Sequence, residues 1–363
     1  MNLVEMAKKT AKIMRHTHFL PHSWRVFQEN CLTLLAYNHR LLELNMEFRT
    51  TLRIGENQGL LHHSDALVLM GSCFSDNIGS KLRMAMMTAS VNPFGTLYNP
   101  LNIAQGVERL IAAEPVPGLS LFHQSGVWNS YDFHSRFSQP DKDHALDTMN
   151  TSIINGHQQL RNCQALVVTL GSAMVYRLKS SGLVVANCHK TPQHEFQRGM
   201  ATMNEMVQAL DSMVTHLQAF NPQARIIFTV SPIRHIADGL DVNALSKARL
   251  RVAVDEVMAK HPANIYYFPA YEIMNDDLRD YRFYAADMVH PSEVAIEYIW
   301  QAFQATYFDD RSAQAIARCE RVSKRLQHRP MSTNRDVVER FNADTKAVLK
   351  NLYREYPYLK SHD

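Results

Sequence analysis

The sequence predicts an α/β domain built on a doubly wound parallel sheet, with further helices toward its C-terminal end. Three observations carry this. Four short apolar runs, Ala66–Met70, Ala165–Leu170, Arg225–Val230 and Asn264–Phe268, do not alternate polar with apolar. That is the pattern of strands covered on both faces. Helix-length segments, Ile78–Met87, Met200–Phe220 and Asn243–Lys260, are spaced among them. Chemically unusual residues sit just past the carboxyl ends of the runs, where open α/β sheets bind ligands.

In chain order, the first 45 residues stand apart. They are basic (Lys8, Lys9, Lys12, Arg15) and hold His16, His18 and His22 without companion Cys or carboxylates, so no metal site is expected there. Met46 reads as the start of the main domain, with strand-like character from Phe48, and residues 1–45 as a dispensable extension. The first run leads into Gly71-Ser72-Cys73-Phe74. An insertion of roughly residues 90 to 160 follows, with Asn92-Pro93-Phe94-Gly95, a helix at Leu101–Ala113 and an aromatic segment from Trp128 to Ser138. The second run leads into Gly171-Ser172, then an irregular stretch, Val175 to Gln197, carrying Asn187-Cys188-His189-Lys190. These two stretches are expected to form a rim facing the ligand. The third run leads into Ser231-Pro232-Ile233-Arg234-His235. Asp287-Met288-Val289-His290 precedes a helix whose Ala295, Tyr298, Ile299, Ala302 and Phe303 should pack on the sheet. A last helix, Asn334 to Tyr356, would place Val337, Val338, Phe341, Val348, Leu349 and Leu352 on one face. The expected division is 1–45, 46–310 and 311–363, the last a helical segment packed on the second.

Composition narrows the function classes. Of 363 residues, 46% are hydrophobic, enough for a sizeable core. The net charge of +3, without a basic block, gives no argument for nucleic acid. No window approaches the roughly 18 apolar residues of a membrane span, and no secretory leader is read, so a cytoplasmic protein is expected. Five scattered cysteines, Cys31, Cys73, Cys163, Cys188 and Cys319, suggest neither a disulfide framework nor a CxxC zinc site. A metal site from Cys188, His189 and His194 has poor ligand spacing.

The chemistry gathers at the strand ends. Gly71 permits a tight turn, and a thiol or hydroxyl there lies at a helix N-terminus, which favours an anion and lowers a thiol pKa. Asp287, three residues before His290, can fix the imidazole tautomer. Taken singly, Cys73 reads first as a buried small residue, and Asp287 as a helix cap.

Met70-Gly71-Ser72-Cys73-Phe74-Ser75, then Asn92-Pro93-Phe94-Gly95 and Tyr98-Asn99-Pro100, resemble the GSCFA domain family of the SGNH (GDSL-like) hydrolase superfamily. The resemblance continues through Asp132-Phe133-His134-Ser135, Gly171-Ser172-Ala173, Asn187-Cys188-His189-Lys190, Thr229 to His235, and Tyr281-Arg282-Phe283-Tyr284 leading to Asp287 and His290. It covers about residues 46 to 356. It implies a three-layer α/β/α sandwich and an ester hydrolase or acyltransferase with no cofactor; the expected substrate is a small-molecule or carbohydrate ester. Laying the superfamily's Gly-Asp-Ser-Leu on Gly71–Phe74 puts the nucleophile on Cys73. A shift of one residue puts it on Ser72. The first register is preferred because Gly71 and Phe74 then both match, and a thiolate is the stronger nucleophile. His290 would be the base and Asp287 its partner. Gly95 is the implied oxyanion donor. The superfamily's second donor, an Asn, would fall on Ala173, so Asn92, Asn187 or Ser172 would stand in. His134, His189, Lys190, Arg234 and His235 are the expected substrate contacts. The missing Asn keeps open a non-catalytic protein that binds a glycan or acyl ligand on the same rim.

Overall fold

The computed structural model describes residues 50–362, apart from 56, 329 and 332. The expectations for residues 1–45, Met46 and Phe48 lie outside the described residues. The chain divides into Met1–Thr50 and Thr51–Asp363, and the elements below belong to the second unit.

Its centre is a parallel sheet of β1 (Leu67–Gly71), β2 (Ala89–Val91), β3 (Ala165–Leu170), β4 (Arg225–Val230) and β5 (Ile265–Tyr267). The strands lie in the order β5-β4-β3-β1-β2. The chain leaves β1 toward one edge and returns on its other side as β3. That reversal opens a crevice beyond the carboxyl ends of β1 and β3.

Strand residues alternate between two cores. Val68, Met70, Val168, Leu170, Phe228 and Val230 pack against α2 (Pro100–Ala112), α3 (Lys142–Asn162), α4 (Met203–Phe220) and α5 (Leu240–Lys260). Leu67, Leu69, Val167 and Ile227 face α1 (Cys73–Met84) and α6 (Glu293–Tyr307), through Phe74, Ile78, Ile299 and Phe303. The result is the expected three-layer sandwich. Burial on both faces is why the runs lack alternation.

Helix starts follow local chemistry. Ser72 caps α1, accepting from the Phe74 N–H, so that helix begins five residues before the expected Ile78. Asn99 caps α2 with Pro100 in its first turn, and Thr202 with Glu205 forms a capping box on α4.

Four expectations need correction. The short strand β2 was not anticipated: its three residues at the sheet edge are half-buried and give no run to read. The insertion holds a 21-residue helix, α3, whose buried Ala145, Met149, Ile153, Gly156 and Leu160 keep helical spacing among many polar residues. The stretch after Ala173 is a small antiparallel sheet of Met174–Leu178, Val184–Val185 and Phe196–Met200. Its strands are too short and too exposed to show a period. Finally, α7 (Asp310–Gln327) and α8 (Arg335–Glu355) meet through a small cluster of Ala315, Cys319, Val322, Leu352, Tyr356 and Leu359. Helix α8 buries Leu352 and Thr345, but Val337 and Val348 are 51% and 38% exposed, so the expected apolar face is only partly covered.

Candidate active site

The site begins at the turn out of β1. Gly71 has φ of +139°, and a Cβ there would lie 2.1 Å from the Thr169 carbonyl oxygen. Only glycine fits without moving β3. Gly71→Ala should therefore cost about 2–4 kcal/mol of stability in urea unfolding. A cost well below 1 kcal/mol would show that the turn relaxes.

Past Gly71, successive side chains part. Ser72 is fully buried; its hydroxyl donates to Ser231 Oγ at 2.9 Å and accepts from the Phe74 N–H at 3.3 Å. Cys73, at the first position of α1, is half-buried, with Sγ 3.9 Å from His290 Nε2. His290 Nδ1 lies 2.6 Å from Asp287 Oδ2. Asp287 Oδ1 accepts the N–H groups of Val289 and His290 at 2.9 and 3.0 Å. Those N–H groups, then the imidazole, hold the exposed Asp287 carboxyl down to about 2. The loop is tight enough to put Met288 at φ +58°.

Arg234 braces this loop. Its guanidinium lies 3.9 Å over the Tyr284 ring and 5.1 Å from that of Tyr281, and its backbone N–H donates to the Val289 carbonyl at 3.2 Å.

The Cys73 thiol departs from expectation. Burial raises its pKa and outweighs the backbone N–H groups of Cys73 and Phe74, which lower it; Asp76 also raises it and Lys247 lowers it. The helix N-terminus acts as expected, but desolvation is larger.

The other expected residues have partners of their own. The Gly95 N–H is committed to the Asn92 carbonyl at 2.7 Å, and a Cβ on Gly95 would strike His134. Asn92 is buried; its Oδ1 accepts the Gly71 N–H and its Nδ2 donates to Asp76. It braces the turn. Ser172 Oγ lies 3.3 Å from Ser246 Oγ and accepts from the Met174 N–H. His134 caps a short helical turn. His235 packs edge-on to Tyr98 at 5.3 Å, and burial pushes its imidazole down to about 4. Its Nε2 is buried with no hydrogen-bond partner among the described residues.

Asn187, His189 and Lys190 belong to the stretch after Ala173. Asn187 accepts the His189 N–H, His189 Nε2 lies 2.7 and 3.0 Å from the carbonyls of Ser130 and Phe133, and Lys190 is exposed. These bonds tie the rim to the insertion. His194 pairs with Glu195 at 3.0 Å, and no group of three metal-binding side chains gathers among the described residues.

Sequence reasoning missed Tyr98, Asp76, Ser231 and Lys247 as parts of the site. Tyr98 and Asp76 share the electrostatic surroundings of Cys73. Lys247 did leave a signal: it falls on the buried stripe of α5 with Asn243, Ser246, Leu250 and Val254. A charged residue at a core position of a helix is worth noticing.

A thiol at the start of the first helix, facing an Asp-His pair from the loop before α6, defines an α/β protein with a Cys-His-Asp arrangement at its switch point. The chain belongs to the GSCFA family, which it matches over residues 66–303. No curated protein matches it. Among solved structures it is similar to a family two carbohydrate esterase from Clostridium thermocellum in complex with cellohexaose. That likeness has 14% identity, covers 70% of this chain and 66% of that one, and has a TM-score of 0.32. This chain thus spans just under two thirds of that esterase. A family 3 carbohydrate esterase from Clostridium thermocellum shows 9% identity, 67% and 94% coverage and a TM-score of 0.33. The acetyl xylan esterase Est2A from Butyrivibrio proteoclasticus shows 12% identity, 66% and 62% coverage and a TM-score of 0.36. Among the described residues no helix is long and apolar enough to cross a membrane.

Proposed function

We propose that the protein hydrolyses or transfers the acyl group of an ester through a thioester on Cys73. The observation that carries this is the line of Cys73 Sγ, His290 and Asp287, at 3.9 and 2.6 Å. The burial of Ser72 and its bond to Ser231 support Cys73 over Ser72.

In the reaction, His290 Nε2 takes the thiol proton as sulfur attacks the ester carbonyl. Asp287 holds the other ring proton and steadies the imidazolium. The tetrahedral oxyanion forms at the positive end of α1, by the Cys73 N–H. The alcohol leaves with the proton from His290, giving the thioester. Water or an acceptor hydroxyl then loses its proton to His290, attacks, and releases acid or a new ester while sulfur regains its proton. Arg234 holds the His290 loop in this reading, and His235, Tyr98 and exposed Tyr281 border the substrate. Acetylated sugars belong in the first substrate panel, since aromatic faces suit sugar rings. A cytoplasmic site of action accords with the unpaired Cys73, Cys163, Cys188 and Cys319.

The test is labelling with a fluorophosphonate and with a thiol-directed electrophile, followed by peptide mapping. Modification of Cys73, blocked by an ester substrate, is expected. Modification of Ser72 would reassign the nucleophile. A non-catalytic binding protein is the second reading, favoured by the engaged Gly95 N–H and by the side-chain bonds of Ser172 and Asn187. Ligand binding without turnover on the whole ester panel would establish it.

A further inference from the structure

The loop that leaves β4, residues 231–239, inverts the usual order of burial. Ser231, Pro232 and Ile233 are buried, but Ile236 is 50% exposed and Ala237 is exposed. At the far end the covered side chain is a charged one, Asp238, whose side chain is 15% exposed. Its two carboxylate oxygens accept one N–H each from the two terminal nitrogens of Arg198. A lone exposed ion pair contributes little, but a two-pronged Arg–carboxylate pair fixes orientation as well as distance. Arg198 is itself held. It lies on the strand Phe196–Met200, directly opposite Tyr176 of Met174–Leu178, and its guanidinium rests 5.2 Å from that ring centre.

The same loop grips the loop of His290. The Arg234 N–H donates to the carbonyl of Val289, the residue before His290, and the Arg234 guanidinium lies 3.9 Å over Tyr284. Between these two grips the His235 N–H donates to Asn243 Oδ1 at 2.9 Å, on the buried stripe of α5. Past Ile233 the loop thus depends on polar contacts. They form a continuous series from the small antiparallel sheet, through Arg198, Asp238 and Arg234, to the imidazole 3.9 Å from Cys73 Sγ.

We propose that Arg198 is a positioning residue: through Asp238 it sets the loop after β4, and through Arg234 it sets His290 against Cys73. The inference rests on the reading in which His290 serves the Cys73 thiol. Misplacing a reacting pair by about 1 Å can cost about a hundredfold in rate, so a remote latch of this kind has a measurable effect.

The test is the rate of Cys73 alkylation by iodoacetamide at neutral pH, read by peptide mapping in four full-length proteins: the native chain, Arg198→Met, His290→Ala and the double variant. Arg198→Met should slow alkylation about tenfold in the native background. In the His290→Ala background it should change the rate less than about twofold, because residues that act through one another are not additive. A merely structural loss, or a direct effect of the Arg198 charge on the thiol, would slow labelling equally in both backgrounds. A native rate in Arg198→Met, or the same slowing in both backgrounds, overturns the proposal. Should Arg198→Met fail to fold, Asp238→Asn is put through the same cycle with the same outcomes required; it keeps the size of the side chain and leaves Arg198 against Tyr176. The expected cycle in a protein that cleaves no ester would sink the acyl-transfer reading alone. An absent cycle with intact ester turnover would sink this one alone.

Discussion

Cys73→Ala is expected to reduce ester turnover by on the order of a thousandfold or more, with folding left nearly intact. The side chain is half-buried and approaches His290 at 3.9 Å. Little packing is lost when sulfur is removed, but no covalent acyl intermediate can form. Ser72→Ala is the contrasting variant. It removes the cap of α1 and the proton donated to Ser231, so it should cost about 1 kcal/mol of stability. Its turnover should fall less than tenfold once folded protein is compared with folded protein. The measurements are turnover on the best ester of the panel and urea unfolding of each variant. The opposite pattern, with Ser72→Ala dead and Cys73→Ala active, would move the nucleophile to Ser72.

How much of this was legible before the fold was known varies by residue. The runs at Ala165–Leu170 and Arg225–Val230 coincide with β3 and β4, because strands buried on both faces leave an unbroken apolar signature. Asp287 and His290 were legible because three residues of tight loop bring them together without help from the rest of the fold. Gly71 was legible for the same local reason. What depended on distant contacts was not. The pKa of Cys73 reflects the desolvation of a crevice built by β1, β3 and their loops, and the helix N-terminus alone suggested the opposite direction. The Gly95 N–H looked free in the sequence, but the Asn92–Gly95 turn closes on itself. Arg234 and His189 have the chemistry of substrate contacts. Tyr284 and the carbonyls of Ser130 and Phe133 are what they meet.

Asp287→Asn should be less damaging than His290→Ala, and its deficit should shrink as pH rises. Two backbone N–H groups already point at Oδ1 of Asp287. They will orient the substituted amide with its oxygen toward them, so its NH2 faces Nδ1 of His290. The imidazole is then driven to the tautomer with the proton on Nε2, facing Cys73, and it cannot take the thiol proton. In a Ser-His-Asp protease the matching change costs about ten-thousandfold. A thiol loses less, about a hundredfold, because its anion also forms by ionisation into solvent. That route opens as pH rises toward the elevated pKa of Cys73, so the ratio of native to Asp287→Asn turnover should fall steadily above about pH 8. Stability at neutral pH should change little, since Asp287 is exposed and Asn retains the oxygen that the backbone needs. Below about pH 4 the native protein should lose the benefit of the lowered Asp287 carboxyl as pH falls toward about 2, and the Asn variant should lack that component. Turnover measured from about pH 5 to 10 on the native chain, Asp287→Asn and His290→Ala decides the matter. Equal and complete loss in both variants at every pH would point to a hydroxyl nucleophile that needs the base throughout. Full activity in both would remove the pair from the chemistry and leave ligand binding as the function of the rim.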